Sequence, residues 1–382
     1  MKAVLVTGSS GLIGTATCEK FAQEGWDVIG VDNYSRGNML QSKDADTRGQ
    51  IQKIQEQYPS VKQLECDIAD LEKMKEIIPK VDAIVHLAAQ VSHPKSMEIP
   101  LDDARINIMG TLNLLELTRK LNHDIPFAFM SSNKVYGDYP NKFEYKILHD
   151  SVYNRYENNV QDSFSEELPI DRCGHTPFGV SKAAADLYCQ EYGRNYGMKT
   201  ATFRGGCVAG ANLRAVEMHG FLGFFTRQVI LKNKLKIFGE GYRVRDNIHS
   251  SDVAEIFYLW VNDPRPNEQG TYGTPYNIGG MRQNSVSIFE TLDALKAKTG
   301  IEPTFEMAAE RESDHLWWIT GMSRFKKDYP GWKGITKDLD FIFNELITSY
   351  SDANKLGVSL TDKNYFKRIR SSARDQTNRN FK

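Results

Sequence analysis

The chain has 382 residues, enough for two domains, or for one large domain with an attached lobe, around a sizeable buried core. Its 48 basic and 49 acidic side chains leave a net charge of -1, which gives no global reason to expect nucleic acid or a membrane surface as a partner. Five scattered cysteines without Cys-x-x-Cys spacing favour reduced thiols, so neither disulfides nor a metal site is predicted. We expect no cleavable leader before the fold and no run of roughly 18 apolar residues, hence a cytoplasmic protein.

The first predicted strand covers residues 3–6 and leads through a glycine turn into a helix that runs to about residue 24. The turn carries Gly8, Gly11 and Gly14 in Gly-x-x-Gly-x-x-Gly spacing. Glycine lets the backbone approach a pyrophosphate closely, and the unpaired N–H groups at a helix start favour its negative charge. A strand, a glycine turn and a helix in this order predict a dinucleotide site.

The second predicted strand covers residues 26–31 and ends at Asp32, 18 residues beyond Gly14. A carboxylate at this place can accept hydrogen bonds from a ribose diol and would repel a 2′-phosphate, which favours NAD over NADP. Arg36 lies close enough in sequence to weaken that preference.

Further strands are predicted near residues 62–66 and over residues 82–87, and a helix over about residues 102–121. The second of these strands is followed by Ala88 and Ala89, small residues where a bound cofactor would need room. Because strands and helices alternate throughout, we predict an α/β fold, a Rossmann-like doubly wound parallel sheet with a smaller mixed α/β substrate lobe.

A strand over residues 127–130 delivers Ser132 at its carboxyl end, where ligands of such sheets bind. The alternative is a hydroxyl that caps a helix or makes loop hydrogen bonds. A long polar insert over residues 138–175 follows, and we expect it to cover the substrate pocket, with a surface loop as the alternative. Phe178 and Lys182 are four residues apart on the next predicted helix and therefore point into the same site.

Two arginines in the second half of the chain, Arg245 and Arg311, are candidates for binding phosphate oxygens in bidentate fashion. Either one alone is as readily a surface ion pair. From Lys355 to the end, eight Lys or Arg residues stand against two Asp residues, which predicts a flexible basic tail, with nucleic-acid binding as a weak alternative.

Over about residues 1–350 the chain resembles the extended short-chain dehydrogenase/reductases, the superfamily of nucleotide-sugar epimerases and dehydratases. Within it the chain is most similar to the CDP-paratose 2-epimerase (CDP-tyvelose epimerase) group. The wider resemblance rests on the glycine turn, Asp32, Asp67, the helix motif around Asn107, Ser132, Val135-Tyr136-Gly137 and Lys182. The narrower one rests on Asn133-Lys134-Val135-Tyr136-Gly137-Asp138, the long insert and residues 311–314.

The resemblance implies an NAD-binding Rossmann domain over residues 1–206 and a substrate lobe interleaved with it over residues 207–350. The composition of the remainder adds a basic polar tail over residues 351–382. It implies NAD contacts from Gly8, Gly11, Leu12, Ile13, Gly14, Asp32, Asn33, Arg36, Asp67, Ile68, Leu87, Ala88, Ala89, Asn107 and Lys182. It implies nucleotide-sugar contacts from Gln90, Ser132, Asn133, Lys134, Cys207, Arg245 and Arg311. It also implies a homodimer through the helices near residues 102–121 and 177–195.

Enzymes of this superfamily use a Tyr, four residues before the Lys, as the base that removes a sugar hydroxyl proton; this chain has Phe178 there. We consider three explanations: an engineered Tyr→Phe change, a natural variant with its base elsewhere, or a protein that binds a nucleotide sugar without converting it. For the second, the candidate groups are Tyr136, Cys173, His175 and Cys207.

The residues after Ser132 distinguish reaction types. Dehydratases of the superfamily have Asp-Glu directly after the corresponding hydroxyl residue, because elimination of water needs an acid and a base. This chain has Asn133-Lys134, which disfavours dehydration and matches the 2-epimerases. The predicted function is C2 epimerisation of a CDP-hexose, with a UDP- or GDP-sugar 4-epimerase and a catalytically silent binding protein as alternatives.

Overall fold

The computed structural model describes residues 1–217, 219–311 and 313–371. The strands are β1 (Ala3–Thr7), β2 (Asp27–Asp32), β3 (Val61–Glu65), β4 (Ala83–His86), β5 (Phe127–Ser132), β6 (Tyr145–His149), β7 (Asn154–Asn158), β8 (Thr200–Gly205), β9 (Cys207–Ala209), β10 (Leu235–Phe238), β11 (Val244–His249), β12 (Thr274–Ile278), β13 (Ser285–Ser287), β14 (Phe305–Ala308) and β15 (Trp317–Trp318). The helices are α1 (Leu12–Gln23), α2 (Arg36–Met39), α3 (Arg48–Gln57), α4 (Leu71–Ile77), α5 (His93–Ser96), α6 (Pro100–Ala104), α7 (Gly110–Leu121), α8 (Pro177–Tyr196), α9 (Phe221–Ile230), α10 (Ser250–Asn262), α11 (Ile288–Thr299), α12 (Ser323–Asp328) and α13 (Leu339–Ala353).

Seven parallel strands form the central sheet in the order β12-β8-β5-β4-β1-β2-β3. Strand β1 is buried from Val4 to Thr7, as expected for a parallel strand that is covered on both faces. Phe21 of α1 and Trp260 of α10 belong to one core cluster against the sheet, and Leu114 of α7 belongs to another. This doubly wound arrangement confirms the predicted fold class.

Helix α8 places two predicted site residues at the carboxyl ends of the strands. It begins at Pro177, whose missing N–H is no loss in a first helical turn, and it ends at Gly197 in the left-handed region with φ 69°. Both Phe178 and Lys182 are buried in its first turns. The predicted helix over residues 102–121 is α6 and α7, joined by a π-helical turn at Arg105–Met109.

A smaller lobe is built from the second half of the chain, around α9, α11 and α13. Its strands form a four-stranded sheet of β9, β11, β13 and β15 and a parallel pair of β10 with β14. The chain returns to the central sheet with β12, and α10 packs on α1, so the two parts are interleaved. We retain the division at residue 206 as a proposal. No helix in the described part of the chain is long and apolar enough to cross a membrane.

The predicted tail over residues 351–382 is wrong for its described part. Helix α13 continues to Ala353, and residues 365–371 form a further helical turn. Phe366 is buried in the core of the smaller lobe, and Arg370 donates to the carbonyls of Gln283 and Ser285. The count of basic residues gave no sign of this single buried aromatic side chain. Residues 372–382 lie outside the described residues.

The insert over residues 138–175 does not cover the cavity described below, contrary to our prediction. It forms an antiparallel hairpin of β6 and β7 that packs against the smaller lobe. The buried Arg155 anchors it, with Nε donating to Glu290 at 2.7 Å and Nη1 donating to Ser285 at 2.8 Å. Among the described residues, none from this insert lines the cavity.

Candidate active site

A cavity of about 430 Å³ opens at the carboxyl ends of the central strands and extends to the smaller lobe, a size typical of small-molecule sites. The predicted residues that line it are Gly8, Gly11, Leu12, Ile13, Gly14, Arg36, Leu87, Ala89, Ser132, Lys134, Phe178, Lys182, Cys207, Arg245 and Arg311. The predicted residues that do not line it are Asp32, Asn33, Asp67, Ile68, Ala88, Gln90, Asn107, Asn133 and Tyr136.

The glycine turn fits a dinucleotide. Gly8 has φ +66°, and a Cβ on Gly14 would lie 2.1 Å from the Gly8 carbonyl oxygen, so the turn and α1 need glycine to pack this closely. Helix α1 starts after Gly11 without a side-chain cap and has no acidic residue in its first turn. Its unpaired N–H groups therefore face the cavity as a site for a pyrophosphate.

The residues at the ends of β2 and β3 lie beside this turn. Asp32 accepts hydrogen bonds from the Ser10 hydroxyl at 2.5 Å and from the Tyr34 amide at 2.8 Å. Asn33 donates to Asp67 at 2.8 Å, so the motif residues that follow β2 and β3 meet at this edge of the sheet. Arg36 faces the cavity, and burial lowers its pKa to about 10.

Ser132 and Lys182 meet in the cavity with Phe178. The Ser132 hydroxyl oxygen accepts the Lys134 amide at 3.1 Å, so its proton can be donated to a ligand. The Lys182 amine donates to the Met130 carbonyl at 2.6 Å and lies 4.2 Å from the centre of the Phe129 ring. Burial lowers the pKa of Lys182 to about 8. A phenyl ring at residue 178 cannot transfer a proton.

Three of the four candidate replacement bases lie outside the cavity lining. The Tyr136 hydroxyl donates to Asn277 at 2.8 Å and accepts from Arg204 at 3.0 Å, and burial raises its pKa to about 12. The His175 ring bonds the Val135 carbonyl at 2.9 Å, with the Cys173 thiol nearby. These placements contradict a proton-transfer role for the three residues.

Cys207 does line the cavity, at the start of β9. Burial raises the pKa of its thiol to about 11, so it stays protonated near neutral pH and is a poor base.

Gln90 and Asn107 belong to a buried network beneath the cavity. The Gln90 amide donates to Asn107 at 2.9 Å, the Gln90 side chain donates to Asp103 at 2.7 Å, and Asn107 donates to Ser181 at 3.0 Å. This network joins the loop after β4 to α6, α8 and the intervening π-helical turn. Both residues therefore position the cavity walls, and their direct contact with a ligand stays a prediction.

The cationic end of the cavity is organised around Asp314. Its carboxylate accepts from Arg245 at 2.7 Å and from Lys134 at 3.4 Å, and although burial opposes this, the neighbouring cations hold its pKa well below its ordinary value. Arg311 lies 3.9 Å from the centre of the Phe238 ring and donates to the Glu217 carbonyl at 3.3 Å. The structure thus brings both predicted arginines to one place, where a diphosphate can bind.

Sequence reasoning missed several cavity residues. Three aromatic residues of α9 line the cavity, the buried Phe225 and the less buried Phe221 and Phe224, and no sequence motif identifies them. His93, at the start of α5, was not identified. Its one available signal was its place in the loop directly after β4, at the ligand-binding edge of the sheet.

The sequence matches the profile of the NAD dependent epimerase/dehydratase family over residues 4–279. A CDP-paratose 2-epimerase from Salmonella typhi is 29% identical over 334 residues, covering 84% of this chain and 91% of the relative. A putative UDP-glucose 4-epimerase from Methanocaldococcus jannaschii is 28% identical over 336 residues, covering 86% and 92%.

The fold is shared with solved structures of similar length. A UDP-glucose 4-epimerase from Stenotrophomonas maltophila with bound NAD superposes with a TM-score of 0.74 at 23% identity, covering 93% of this chain and 99% of that one. A dTDP-glucose 4,6-dehydratase from Bacillus anthracis in complex with NAD superposes with a TM-score of 0.72 at 21% identity, covering 93% and 98%.

Proposed function

The chain belongs to the NAD dependent epimerase/dehydratase family, and from that premise we propose that it is an epimerase of a nucleotide-diphosphate sugar, acting at C2 of a CDP-hexose. Family membership makes NAD its cofactor. The reaction inverts one sugar carbon by transient oxidation and re-reduction, with no net change in redox state.

The chain's own residues would hold the cofactor along the first half of the cavity. The glycine turn and the start of α1 would bind the pyrophosphate, Asp32 would accept hydrogen bonds from the adenosine ribose, and Lys182 would bind the nicotinamide ribose. When bound, NAD supplies the hydride acceptor and donor for the sugar carbon. The Ser132 hydroxyl is placed to donate a hydrogen bond to the reacting sugar oxygen, which stabilises negative charge as it develops there.

One observation carries the choice of epimerisation over dehydration: no acid stands directly after Ser132. Asn133 is a buried amide that cannot titrate, and Lys134 extends to Ser313 and Asp314. Asp314 is held ionised by Arg245 and Lys134, so it cannot donate a proton to a leaving hydroxide. An oxidation followed by re-reduction needs no such donor.

The opposite end of the cavity supports a nucleotide-diphosphate substrate. Arg245 and Arg311 supply charge for two phosphates, and the rings of Phe221, Phe224 and Phe238 supply apolar surface beyond them. The similarity to a CDP-paratose 2-epimerase supports cytosine as the base and C2 as the carbon.

The test is to incubate the NAD-loaded protein with CDP-hexoses and, separately, with UDP- and GDP-hexoses, and to follow each sugar by NMR. We expect the C2 epimer from a CDP-hexose and a transient NADH absorbance. The C4 epimer of a UDP- or GDP-sugar would instead establish a 4-epimerase, which the similarity to a putative UDP-glucose 4-epimerase favours.

Phe178 favours a second candidate function of a different class, a binding protein that does not convert its nucleotide sugar. That function requires tight binding of the nucleotide sugar with neither epimer nor NADH. Turnover that arises only in Phe178→Tyr would then identify an active site that lost its base.

We further propose a cytoplasmic homodimer. All five cysteines are free thiols, which agrees with a reducing compartment. Helix α8 exposes Val180, Leu187 and Tyr188, and the neighbouring segments expose Leu101 and Met109. This apolar surface on the predicted dimer helices supports pairing with a second copy.

A further inference from the structure

Among the residues that line the cavity, His93 is the strongest candidate for the proton-transfer group that Phe178 cannot be. It is the first residue of α5, after the loop that follows β4, and it lines the same cavity as Phe178, Ser132 and Lys182. Its Nε2 atom is buried and has no hydrogen-bond partner among the residues that the structure describes. A buried imidazole nitrogen without a partner costs stability, so its presence here points to a ligand that supplies the missing hydrogen bond.

The turn that carries His93 is fixed to the helix that carries Phe178. Ser92 caps α5 by accepting the Lys95 amide at 3.2 Å, and the Phe178 amide donates to the Ser96 hydroxyl at 3.1 Å. This hydrogen bond ties the α5 turn to the first turn of α8. A group on α5 is therefore held beside the helix that carries Phe178 and Lys182.

We propose that His93 is the proton-transfer residue of this epimerase, in place of a phenol at residue 178; this rests on the proposed function. The Nε2 lone pair accepts the proton of the sugar hydroxyl, whose O–H bond breaks as the carbon–oxygen bond becomes a carbonyl. The electron pair of the sugar C–H bond leaves as a hydride, for which NAD, the cofactor of the family, would be the acceptor. On the return, the imidazolium gives the same proton back to the carbonyl oxygen as the hydride is restored.

The charges around the ring suit this role. Burial, together with Lys134, Arg245 and Arg311, lowers the pKa of His93 to about 4, against the opposing effect of Asp314. Helices α6 and α8 pack against α5 and carry two further charged residues, Asp103 and Lys182. The ring is therefore neutral and able to accept a proton at neutral pH. A bound diphosphate would offset the field of the two arginines and raise the pKa of the imidazole toward the range in which it is an effective base.

The first test needs no turnover. NMR of histidine-labelled, NAD-loaded protein should find the His93 ring neutral in its free form, and CDP or UDP should raise its pKa by at least one unit. Histidine-to-glutamine replacement at residue 93 assigns the signal. A His93 ring that neither nucleotide affects would overturn the proposal, because such a ring would lie away from the substrate.

The second test separates catalysis from binding. In His93→Gln we expect kcat to fall by about 10²–10⁴-fold, with the Kd of the nucleotide sugar within about threefold of the wild-type value. The double variant His93→Gln/Phe178→Tyr should recover at least tenfold, because it regains a proton-transfer group. His123→Gln is the matched control, since His123 is exposed and bonds the Tyr196 carbonyl at the opposite end of the sheet; it should match the wild type.

The outcomes distinguish the two proposals. Wild-type turnover that survives His93→Gln, or an equal loss of kcat and of nucleotide-sugar affinity, would overturn the role of His93 and leave the epimerase intact. Absence of turnover by the wild type with every sugar nucleotide would overturn the proposed function, and the role of His93 with it. The wild-type kcat should also decline at acid pH as His93 becomes protonated, and the residual rate of His93→Gln should lack that decline.

Discussion

Lys182 is held in an environment that suits a cofactor site and opposes stability. Its amine is buried, and its pKa is lowered from 10.5 to about 8, so burying the ammonium costs on the order of 3 kcal/mol at neutral pH. Between pH of about 8 and 10.5 the unfolded chain binds more protons at this lysine than the folded chain does. The free energy of unfolding should therefore rise with pH across that window.

Lys182→Met tests this directly, by denaturant unfolding of both proteins at the same NAD concentration. The stability difference between variant and wild type should shift in favour of the wild type, by on the order of 3 kcal/mol, from pH 7 to pH 10.5. The variant should lose turnover at every pH. A stability difference that does not depend on pH would show that Lys182 keeps its ordinary pKa.

Arg311 is expected to act on substrate affinity alone. Its guanidinium is half-buried and stacked on Phe238, at the nucleotide end of the cavity. Arg311→Gln removes charge-assisted hydrogen bonds worth about 1.5–3 kcal/mol each, so the Kd for CDP or UDP should rise at least tenfold in calorimetry. The affinity for NAD should not change. Arg265→Gln, at an exposed pair with Asp263, is the control; equal losses in both variants would contradict a phosphate role.

At the residue scale, the sequence predicted residues whose chemistry is tied to a local motif. Gly8, Ser132 and Lys182 are where their motifs indicate because each stands at the end of a strand or in the first turns of a helix. His93 could not be found in this way, because its significance depends on an unpartnered nitrogen and on Lys134 and Arg311, which are distant in sequence. Such a group is recognisable only in three dimensions.

At the scale of single elements, substitutions in the glycine turn and α1 can distinguish glycines needed for packing from glycines needed for cofactor binding. A Cβ at Gly11 would lie 3.3 Å from the nearest atom, but one at Gly14 would lie 2.1 Å from the Gly8 carbonyl. We expect Gly11→Ala to leave the free energy of unfolding without NAD within about 1 kcal/mol of the wild type. Its NAD affinity should fall at least tenfold, because the Cβ would stand in the turn that we propose as the pyrophosphate site.

Gly14→Ala should lose both stability and NAD binding. Gly49→Ala is the control, since a Cβ there meets nothing within 4 Å on α3 and should stabilise by about 0.5–1 kcal/mol. Unchanged NAD affinity in Gly11→Ala, measured by calorimetry, would remove the turn from the cofactor site.

The segment after α13 is part of the smaller lobe, and Phe366 is its anchor. The ring is buried against Phe343 of α13, with centroids 5.2 Å apart. Phe366→Ala should destabilise the protein by about 3–5 kcal/mol in denaturant unfolding, the usual cost of deleting a buried phenyl group. Phe305→Ala, where the ring is 42% exposed, should cost much less. A cost below about 1 kcal/mol at Phe366 would restore the prediction of a loose tail.

Elements with a strong period or motif were predictable, and elements held by single contacts were not. The parallel strands and α8 follow from continuous apolar runs and from a proline start. The insert was placed over the cavity because it lies between Ser132 and Lys182 in sequence. Its true position involves contacts with residues distant in sequence, among them the buried ion pair of Arg155 with Glu290, which no local pattern reveals.

At the scale of the whole molecule, the residues of one chain suffice to form the cavity. Helix α8, which forms part of its wall, and the adjoining α6 expose apolar side chains on their outer side. On α8, Val180, Leu187 and Tyr188 are 53%, 45% and 42% exposed, while Lys182 on the inner side is buried. Leu101 is 85% exposed on the adjoining α6. Apolar side chains grouped in this way on two packed helices are the usual core of an interface between identical subunits.

We therefore expect the wild type to be a dimer at micromolar concentration in light scattering. Leu187→Glu should convert it to a monomer, because the carboxylate would be buried without a partner at the interface. Met307→Glu changes a 52% exposed residue of β14 in the same way and should leave the dimer intact. Since the cavity residues and the exposed face lie on opposite sides of α8, turnover per chain should persist in the monomer. A monomeric wild type, or a dimer that tolerates Leu187→Glu, would place the interface elsewhere or remove it.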